Sequence, residues 1–214
     1  MLSPSLLGAE RAAYELKFAL TSELQPVIWD WAKSYLAADA HADTEGRYQV
    51  TTLYYDTPTA SMFHRAPGYR TTKYRVRRYG SEDLAYFERK RKRGSRVRKM
   101  RDAGIEPPAW FESERCARSL EPALWVTYQR YAFVGDGGMR LTMDSDLRAW
   151  PIDDQPRSFE SGGPFVLELK FHDALPATFR NLVRDLRLMP TTRSKYRLAM
   201  IHFIESPEIT CPTS

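Results

Sequence analysis

Hydrophobic and charged positions alternate in several segments of the chain, beginning with residues 11–20. This segment contains the sequence YELKF, in which Glu15 and Lys17 share one side and the hydrophobic residues share the other. A repeat of two residues is typical of a β-strand whose faces meet different environments. We therefore predict a strand here, with an apolar face that packs under helices and a charged face.

Runs of the same kind, rich in tyrosine, valine and threonine, recur along the chain and predict further strands. They lie at residues 47–58, 71–80, 84–93, 95–102, 125–134, 139–150 and 164–171. The sequence GDGG at residues 135–138 predicts a hairpin turn between two of them.

Helical spacing is confined to fewer segments. A helix is predicted from an N-cap at Thr21 or Ser22 to about Leu36, and another over residues 176–188. Residues 59–69 are expected to form a short helix and turn.

No linker or change of composition divides the chain. Residues 105–125 contain three prolines and are expected to be irregular or helical. The pattern predicts one domain over residues 1–214, with its core at about 11–204. Its class is α+β, with about eight antiparallel strands and a few flanking helices.

Composition fits an ordinary globular protein. Of the 214 residues, 43% are hydrophobic and 28% charged, which excludes a disordered chain. The two cysteines and four histidines lack ligand spacing, which argues against a disulfide framework or a zinc site. The N-terminal residues do not read as a signal peptide and no apolar stretch reaches membrane-spanning length, so we expect a cytoplasmic protein.

Positive charge is concentrated in one part of the chain. The formal net charge is +5, from 32 lysines and arginines against 27 acidic residues. Residues 70–101 hold a dense run of arginine and lysine that includes KYRVRR and ERKRKRGSRVRKMR. Such a local field implies an anionic partner: phosphate, nucleic acid or an acidic lipid surface.

The polar face of the predicted strands carries ordered charges. Glutamate is followed by lysine two residues later in three strands, at Glu15/Lys17, Glu88/Lys90 and Glu168/Lys170. Lys73, Arg75 and Arg77 share one face of another strand. Arg130 and Arg140 lie on two further strands. A solvated outer face would also alternate in this way. The alternative is a closed barrel of about eight strands, whose interior admits a slender ligand. Lined with arginine and lysine, that interior suits a chain of phosphates, and the glutamates would hold a bridging divalent cation.

Eight short motifs together resemble a known family. They occur in the order seen in the polyphosphate polymerase domain of the vacuolar transporter chaperone (VTC) proteins, within the triphosphate tunnel metalloenzyme superfamily. The motifs are YELKF, LYYDTP, KYRVR, YFERKRK, YQRYAF, RLTMD, VLELKF and SKY. The resemblance covers about residues 11–200. It implies an antiparallel tunnel that binds ATP, triphosphate or polyphosphate with Mn²⁺ or Mg²⁺, and an enzyme that transfers the terminal phosphoryl group of ATP to a polyphosphate chain.

The resemblance also implies roles for individual residues. Phosphate-binding and catalytic cations would be Lys17, Arg75, Arg77, Lys90, Arg130, Arg140 and Lys195, with Lys92, Lys99, Lys170 and Ser194 as further phosphate ligands. Glu168 is the first candidate for both catalysis and metal binding, and Glu15 and Glu88 are the next metal candidates. Asp144 would either bind the metal or orient an arginine.

One departure from the superfamily pattern bears on the reaction. Some tunnel proteins begin with Glu-x-Glu-x-Lys, but Ala13 stands here at the place of the first glutamate. This favours the polymerase branch over the hydrolase branch and weakens any claim of two metals. Family members in eukaryotes also have membrane spans that are not expected here.

Two other functions stay open. The first is hydrolysis of inorganic triphosphate in the same tunnel. The second is non-catalytic binding of polyphosphate in the tunnel, or of nucleic acid on an outer stripe formed by Arg89, Arg91 and Arg93. By parity these arginines point away from the tunnel, so we interpret them as a solvated or polyanion-guiding surface, with nucleic acid the less favoured partner. The sequence does not indicate whether a partner subunit is needed.

Overall fold

The computed structural model describes residues 13–80, 82–94, 96–152 and 158–205. The first positions of two predicted strands (11, 12 and 95) and both ends of the predicted domain lie outside these ranges. The strands are β1 (Ala13–Ala19), β2 (Ala37–Ala38), β3 (Arg47–Asp56), β4 (Thr72–Tyr79), β5 (Ala85–Arg93), β6 (Arg96–Gly104), β7 (Glu121–Gly135), β8 (Met139–Pro151) and β9 (Phe159–Phe171). The helices are α1 (Leu24–Tyr35), α2 (Ala109–Ala117), α3 (Ala177–Asp185) and α4 (Lys195–Glu205).

Eight of the strands close into an antiparallel barrel. Their order is β7-β3-β4-β5-β6-β1-β9-β8, and the ring closes because β8 also pairs with β7. The two-residue strand β2, which the sequence pattern does not predict, adds to β7 outside the ring. The predicted fold, an antiparallel barrel with flanking helices, is confirmed.

The apolar face of the barrel wall packs outward under helices. Leu167 and Leu169 of β9 belong to a buried cluster with Ile28 of α1 and Phe179 of α3. Burying each such side chain contributes about 1.5–3 kcal/mol. A second outer cluster joins β4 and β5 to α2 through Phe111 and its neighbours. The helices therefore take up the hydrophobic face, and the charged face turns inward.

Helix α4 packs against side chains of the inner face. Its Tyr196, Ala199 and Phe203 are buried in one cluster with Val126 of β7 and Val166 of β9. These two valines share the parity of the charged inner residues of their strands, so the helix lies across the interior and fills part of it. The first turn of α4 consequently faces the charged space of the barrel.

Two predictions about helices were wrong. Helix α1 begins at Leu24, and its N-cap position is Glu23, which makes no side-chain capping bond, so neither Thr21 nor Ser22 caps it. Residues 59–69 form turns and no helix. The reason is Asp56, whose carboxylate accepts the backbone N–H groups of this segment and so competes with helical hydrogen bonding.

The segment 105–125 holds more regular structure than predicted. It contains α2, and β7 begins at Glu121 although Pro122 follows. Pro122 lies opposite Tyr55 where the β3–β7 register shifts. A strand tolerates proline at its first residues or at a bulge, because no ladder hydrogen bond is lost there.

Candidate active site

The repeated Glu-x-Lys motif has a direct structural explanation in the pairing of β1 with β9. Because the strands are antiparallel, Glu15 lies opposite Lys170, and Lys17 lies opposite Glu168. Opposite charges that face each other across a strand pair stabilise it. The Lys17 Nζ lies 2.6 Å from Glu168 Oε1 and 3.6 Å from Glu15 Oε1, so one ammonium group joins the two carboxylates.

The third motif, on β5, joins the same group. Its Lys90 Nζ lies 2.7 Å from Glu15 Oε2, and Lys170 Nζ lies 3.6 Å from Glu168 Oε2. Two carboxylates and three lysines from three strands thus meet on the inner face of the barrel.

These side chains line a cavity of about 320 Å³ inside the barrel. Among the described residues, thirteen lysines and arginines line it, against two carboxylates. The residues predicted from sequence that line it are Lys17, Arg75, Arg77, Lys90, Lys92, Arg130, Lys170, Ser194, Lys195, Glu15 and Glu168. The structure brings this set together; the role of each residue in binding or catalysis stays a prediction.

The excess of positive charge perturbs both kinds of ionisable group. Burial and Glu168 raise the pKa of Glu15, but Lys90, Lys170 and Lys17 outweigh them and lower it to about 2. Burial lowers the pKa of Lys90 to about 7, although Glu15 and Glu168 oppose the shift. Burial, with Lys17, Lys90 and Arg75 nearby, holds the pKa of Lys73 well below its usual range. The cavity therefore holds more cationic groups than its carboxylates can balance.

A buried carboxylate fixes two of the cavity cations from behind. Asp144 is 0% exposed and accepts hydrogen bonds from Arg130 Nε and Nη2 at 2.7 and 2.8 Å. Lys195 also donates to it, from the first turn of α4. Burial raises the pKa of Asp144, but Arg130 and Lys195 prevail and lower it to about 2. Of the two roles predicted for Asp144, the contacts favour orientation of an arginine.

Glu88 is positioned in the same way behind the cavity wall. It is 0% exposed and lies within ion-pair distance of Arg75, Lys99 and Arg101. It does not line the cavity. The metal role of Glu88 stays a prediction, but its carboxylate is less well placed for it than those of Glu15 and Glu168, which line the cavity.

Two predicted phosphate ligands also lie off the cavity. Lys99 Nζ is 2.9 Å from Glu88 Oε1, behind the wall. Arg140 Nη2 lies 2.8 Å from Asp39 Oδ2 and 3.2 Å from the hydroxyl of Tyr48. Both residues have the inward parity, but neither is among the residues that line the cavity.

Several cavity residues come from segments without regular periodicity. The loop between β3 and β4 supplies Arg65 and Arg70, and the segment before and within α4 supplies Arg193 and Arg197. Sequence reasoning missed all four, although the last two flank the SKY motif. Lys73, noted for its parity but not placed in the predicted site, also lines the cavity, and its Nζ donates to Ser194 Oγ at 2.6 Å.

The aspartate of the LYYDTP motif holds these segments together. Asp56 Oδ1 accepts the backbone N–H of Met62 at 2.8 Å, and Oδ2 accepts that of Phe63 at 3.0 Å. The Tyr196 hydroxyl of α4 donates to the same Oδ2 at 2.5 Å. One buried carboxylate thus ties the end of β3 to the loop and to the helix that carry cavity cations.

The cavity offers few of the oxygen ligands that a divalent metal requires. In the described ranges, no group of three or more His, Cys, Asp or Glu side chains could hold a metal ion. Glu15 and Glu168 are the two carboxylates on the cavity surface. Mg²⁺ commonly uses one or two carboxylates and completes its shell with water and substrate phosphates. The pair therefore fits a metal that arrives with a phosphate ligand.

Comparison with known sequences agrees with this geometry. The family profile of the VTC domain matches residues 12–106 and 106–204. The chain belongs to the VTC domain family. No curated protein matches this VTC domain in sequence. None of the helices in its described ranges is long and apolar enough to cross a membrane.

Several solved structures are similar to this VTC domain. An adenylate cyclase candidate from Bacillus halodurans has a TM-score of 0.58 at 12% identity, covering 86% of this chain and 95% of that one. The PH1819 protein of Pyrococcus horikoshii OT3 scores 0.54 at 14% identity, covering 87% and 97%. HpAC1 from Hippeastrum, described as having a dominant triphosphatase activity, scores 0.51 at 8% identity, covering 92% and 97%. At such identities the likeness shows the fold alone, an antiparallel barrel with flanking helices.

Proposed function

We propose that this VTC domain is a metal-dependent phosphotransferase that binds ATP and polyphosphate in the barrel and transfers the terminal phosphoryl group of ATP to the polyphosphate chain. The observation that carries the proposal is the cavity, in which two neighbouring carboxylates lie among thirteen lysines and arginines. Membership of the VTC domain family supports it.

Binding would rely on two kinds of cation. Arg75, Arg77 and Arg130 present planar forks that match phosphate oxygens, and carboxylates or a hydroxyl behind them hold their orientation. Lys17 and Lys90 act as point charges beside the carboxylate pair. Phosphate oxygens would balance the excess of positive charge in the cavity. Binding would therefore raise the lowered pKa values of Lys73 and Lys90.

The reaction would follow from positioning and electrostatics. An oxygen of the acceptor phosphate forms a bond to the γ-phosphorus of ATP, and the bond from that phosphorus to the β–γ bridging oxygen breaks, leaving ADP. Arg75 and Arg130 would stabilise charge on the transferred group and on the leaving oxygen, which supplies most of the acceleration in phosphoryl transfer. Glu15 and Glu168 would hold Mn²⁺ or Mg²⁺, whose charge would offset that of the phosphate groups.

Transfer to phosphate asks less of the protein side chains than hydrolysis. An anionic phosphate acceptor needs no general base, whereas water must be activated by a base or by a metal ion. Burial raises the pKa of both cavity carboxylates, but the nearby lysines outweigh it, lowering the pKa of Glu15 to about 2 and that of Glu168 well below its usual range. Neither carboxylate is therefore an effective base at neutral pH. Lys90, with a pKa lowered to about 7 by burial, is the remaining candidate, but its Nζ already donates to Glu15.

The test is incubation of the pure protein with ATP, Mn²⁺ and a short polyphosphate primer. ADP, free phosphate and long-chain polyphosphate are quantified separately. We expect ADP and polymer to form together, and Glu168→Gln to lower both by about 100-fold or more while binding of tripolyphosphate persists. Glu160→Gln is the matched control, since Glu160 lies exposed on the same strand and pairs with Arg148.

The outcomes separate the candidate functions. Free phosphate equal to ADP, without polymer, would identify a hydrolase. Binding of tripolyphosphate without any turnover would identify a binding protein. Full activity in Glu168→Gln would contradict the role given to that carboxylate.

A further inference from the structure

The hairpin of β5 and β6 carries a second basic surface, outside the barrel. Arg91 and Arg93 of β5 and Arg96 and Arg98 of β6 share its outer face, and all four are exposed. We call these four residues the arginine face. Arg91 and Arg93 have the opposite parity to Lys90, which lines the cavity, and Arg96 and Arg98 have the opposite parity to Lys99, the residue paired with Lys90. The arginine face is therefore not part of the cavity wall.

The strand register brings these like charges together. Arg91 lies opposite Arg98, and Arg93 opposite Arg96. Side chains directly opposite each other have Cβ atoms about 4.5–5.5 Å apart, and like charges in such pairs are destabilising. Positions two apart along a strand are separated by about 6.6 Å. Four positive charges thus occupy the corners of a small rectangle.

The described residues provide little compensation for this repulsion. Arg89, the next residue on the same face, pairs with Glu114. In the described ranges no carboxylate forms an ion pair with Arg91, Arg93 or Arg98, and Arg96 donates to the hydroxyl of Tyr14. An arrangement that costs folding free energy and leaves the charges exposed is explained by an anionic ligand that lies over them.

The arginine face adjoins the cavity. Lys92, between Arg91 and Arg93, has the inner parity and lines the cavity while remaining exposed. Its backbone N–H donates to Thr71 O at 2.9 Å, and Thr71 also lines the cavity. Positive charge is therefore continuous from Lys90 through Lys92 to the hairpin tip.

The chemistry of the surface favours a phosphate chain over nucleic acid. Strands of DNA or RNA bind on aromatic rings that stack with bases, as well as on cations. Among the described residues, Tyr14 is the aromatic side chain in contact with the arginine face, and its ring already lies under Arg96 at 5.5 Å. Guanidinium groups bind phosphate oxygens of either polymer, but this surface offers little aromatic area on which bases could stack.

We infer that the arginine face binds the part of a polyphosphate chain that extends beyond the cavity, so that the protein prefers long chains to short ones. This inference rests on the proposed function, because it assigns the anionic chain in the cavity to polyphosphate. Its separate content is that four outer arginines, which do not reach the cavity, set the dependence of affinity on chain length.

The experiment measures the affinity of the full chain for tripolyphosphate and for long-chain polyphosphate over a series of salt concentrations. The variant is Arg91→Gln/Arg93→Gln, and the control is Arg148→Gln/Arg180→Gln, which removes two exposed arginines on β8 and α3. We expect the variant to bind long chains about tenfold more weakly at low salt, with a log–log salt slope smaller by about 0.7 for each arginine removed. Tripolyphosphate affinity should stay within about twofold of the wild type, because the cavity is unchanged.

Unchanged affinity of the variant for long chains would overturn the inference while leaving the proposed function intact. An equal loss for tripolyphosphate would also overturn it, because the arginines would then act on the cavity. Weakened binding of an RNA homopolymer, with polyphosphate binding preserved, would assign the surface to nucleic acid instead. If the wild-type protein bound neither phosphate ligand, the proposed function and this inference would both fail.

Discussion

Asp144→Asn should destabilise the ligand-free protein strongly. Asp144 is fully buried and accepts two hydrogen bonds from Arg130 and one from Lys195. The amide is neutral and presents an NH₂ group to one of these donors, so two buried cations lose their counter-charge. Removing one partner of a buried ion pair costs about 3–5 kcal/mol. We expect a decrease of that size in the free energy of unfolding.

A phosphate ligand should reduce this loss. Tripolyphosphate in the cavity would bring negative charge to Arg130 and Lys195, which both line it. The stabilisation that saturating tripolyphosphate confers should therefore be larger in the variant than in the wild type, by about 1 kcal/mol or more. Urea unfolding followed by circular dichroism, with and without the ligand, measures both quantities.

The matched control is Asp185→Asn. Asp185 pairs with Arg184 on the surface of α3, where its side chain is 58% exposed. Exposed pairs of this kind contribute about 0–1 kcal/mol, so the change should be small with or without ligand. A loss below about 1 kcal/mol in Asp144→Asn would refute the reasoning that Asp144 balances buried charge. Equal ligand stabilisation of variant and wild type would refute the proposed contact between phosphate and these two cations.

Three further outcomes follow from other contacts. Asp56→Asn replaces a carboxylate oxygen by an NH₂ donor that faces other donors, so we expect the free energy of unfolding to fall by about 3 kcal/mol and tripolyphosphate to bind more weakly. A decrease under about 1 kcal/mol would contradict the role of Asp56 as an anchor. Gly138 and Gly80 both have positive φ, but a Cβ at position 138 would lie 2.6 Å from the His172 ring, whereas the space at position 80 is open. Gly138→Ala should therefore lower the thermal unfolding temperature more than Gly80→Ala, and equal decreases would exclude this close contact. Burial lowers the pKa of Lys90 to about 7 and a bound phosphate should raise it, so tripolyphosphate binding at pH 8 should take up protons. Calorimetry in two buffers detects this uptake, and binding heats that are identical in the two buffers after correction for other ionisations would contradict it.

The alternation of side chains was sufficient to predict most of the barrel. Period-two segments gave the strands of the ring, because each must present one face to helices and one to the interior. Proline misled the prediction at the start of β7, since Pro122 lies at a register shift where no ladder hydrogen bond is lost. The loop after β3 was also mispredicted, because the Asp56 side chain replaces helical hydrogen bonds that a local pattern assumes.

Parity predicted the face of each site residue that lies on a strand, but not its position along the barrel. Arg140 and Lys99 have inward parity, yet their partners are Asp39 and Glu88, away from the cavity. Strand register and tilt set that position, and both depend on long-range pairing that a single strand does not encode. Arg65 was missed for another reason: it lies on a loop, where no periodicity relates sequence to direction.

The distribution of carboxylates explains how a cationic cavity can be both stable and receptive. Glu88 and Asp144 lie behind Arg75 and Arg130 and do not line the cavity, so they hold the two guanidinium groups in place without shielding the cavity surface. Had these carboxylates been on the surface, they would repel phosphate; had they been absent, burial of the arginines would be unfavourable. Orientation fixed in advance also means that little reorganisation accompanies ligand binding. The carboxylates that do reach the surface, Glu15 and Glu168, are both in contact with Lys17, so they lie close enough together to share the metal that we propose.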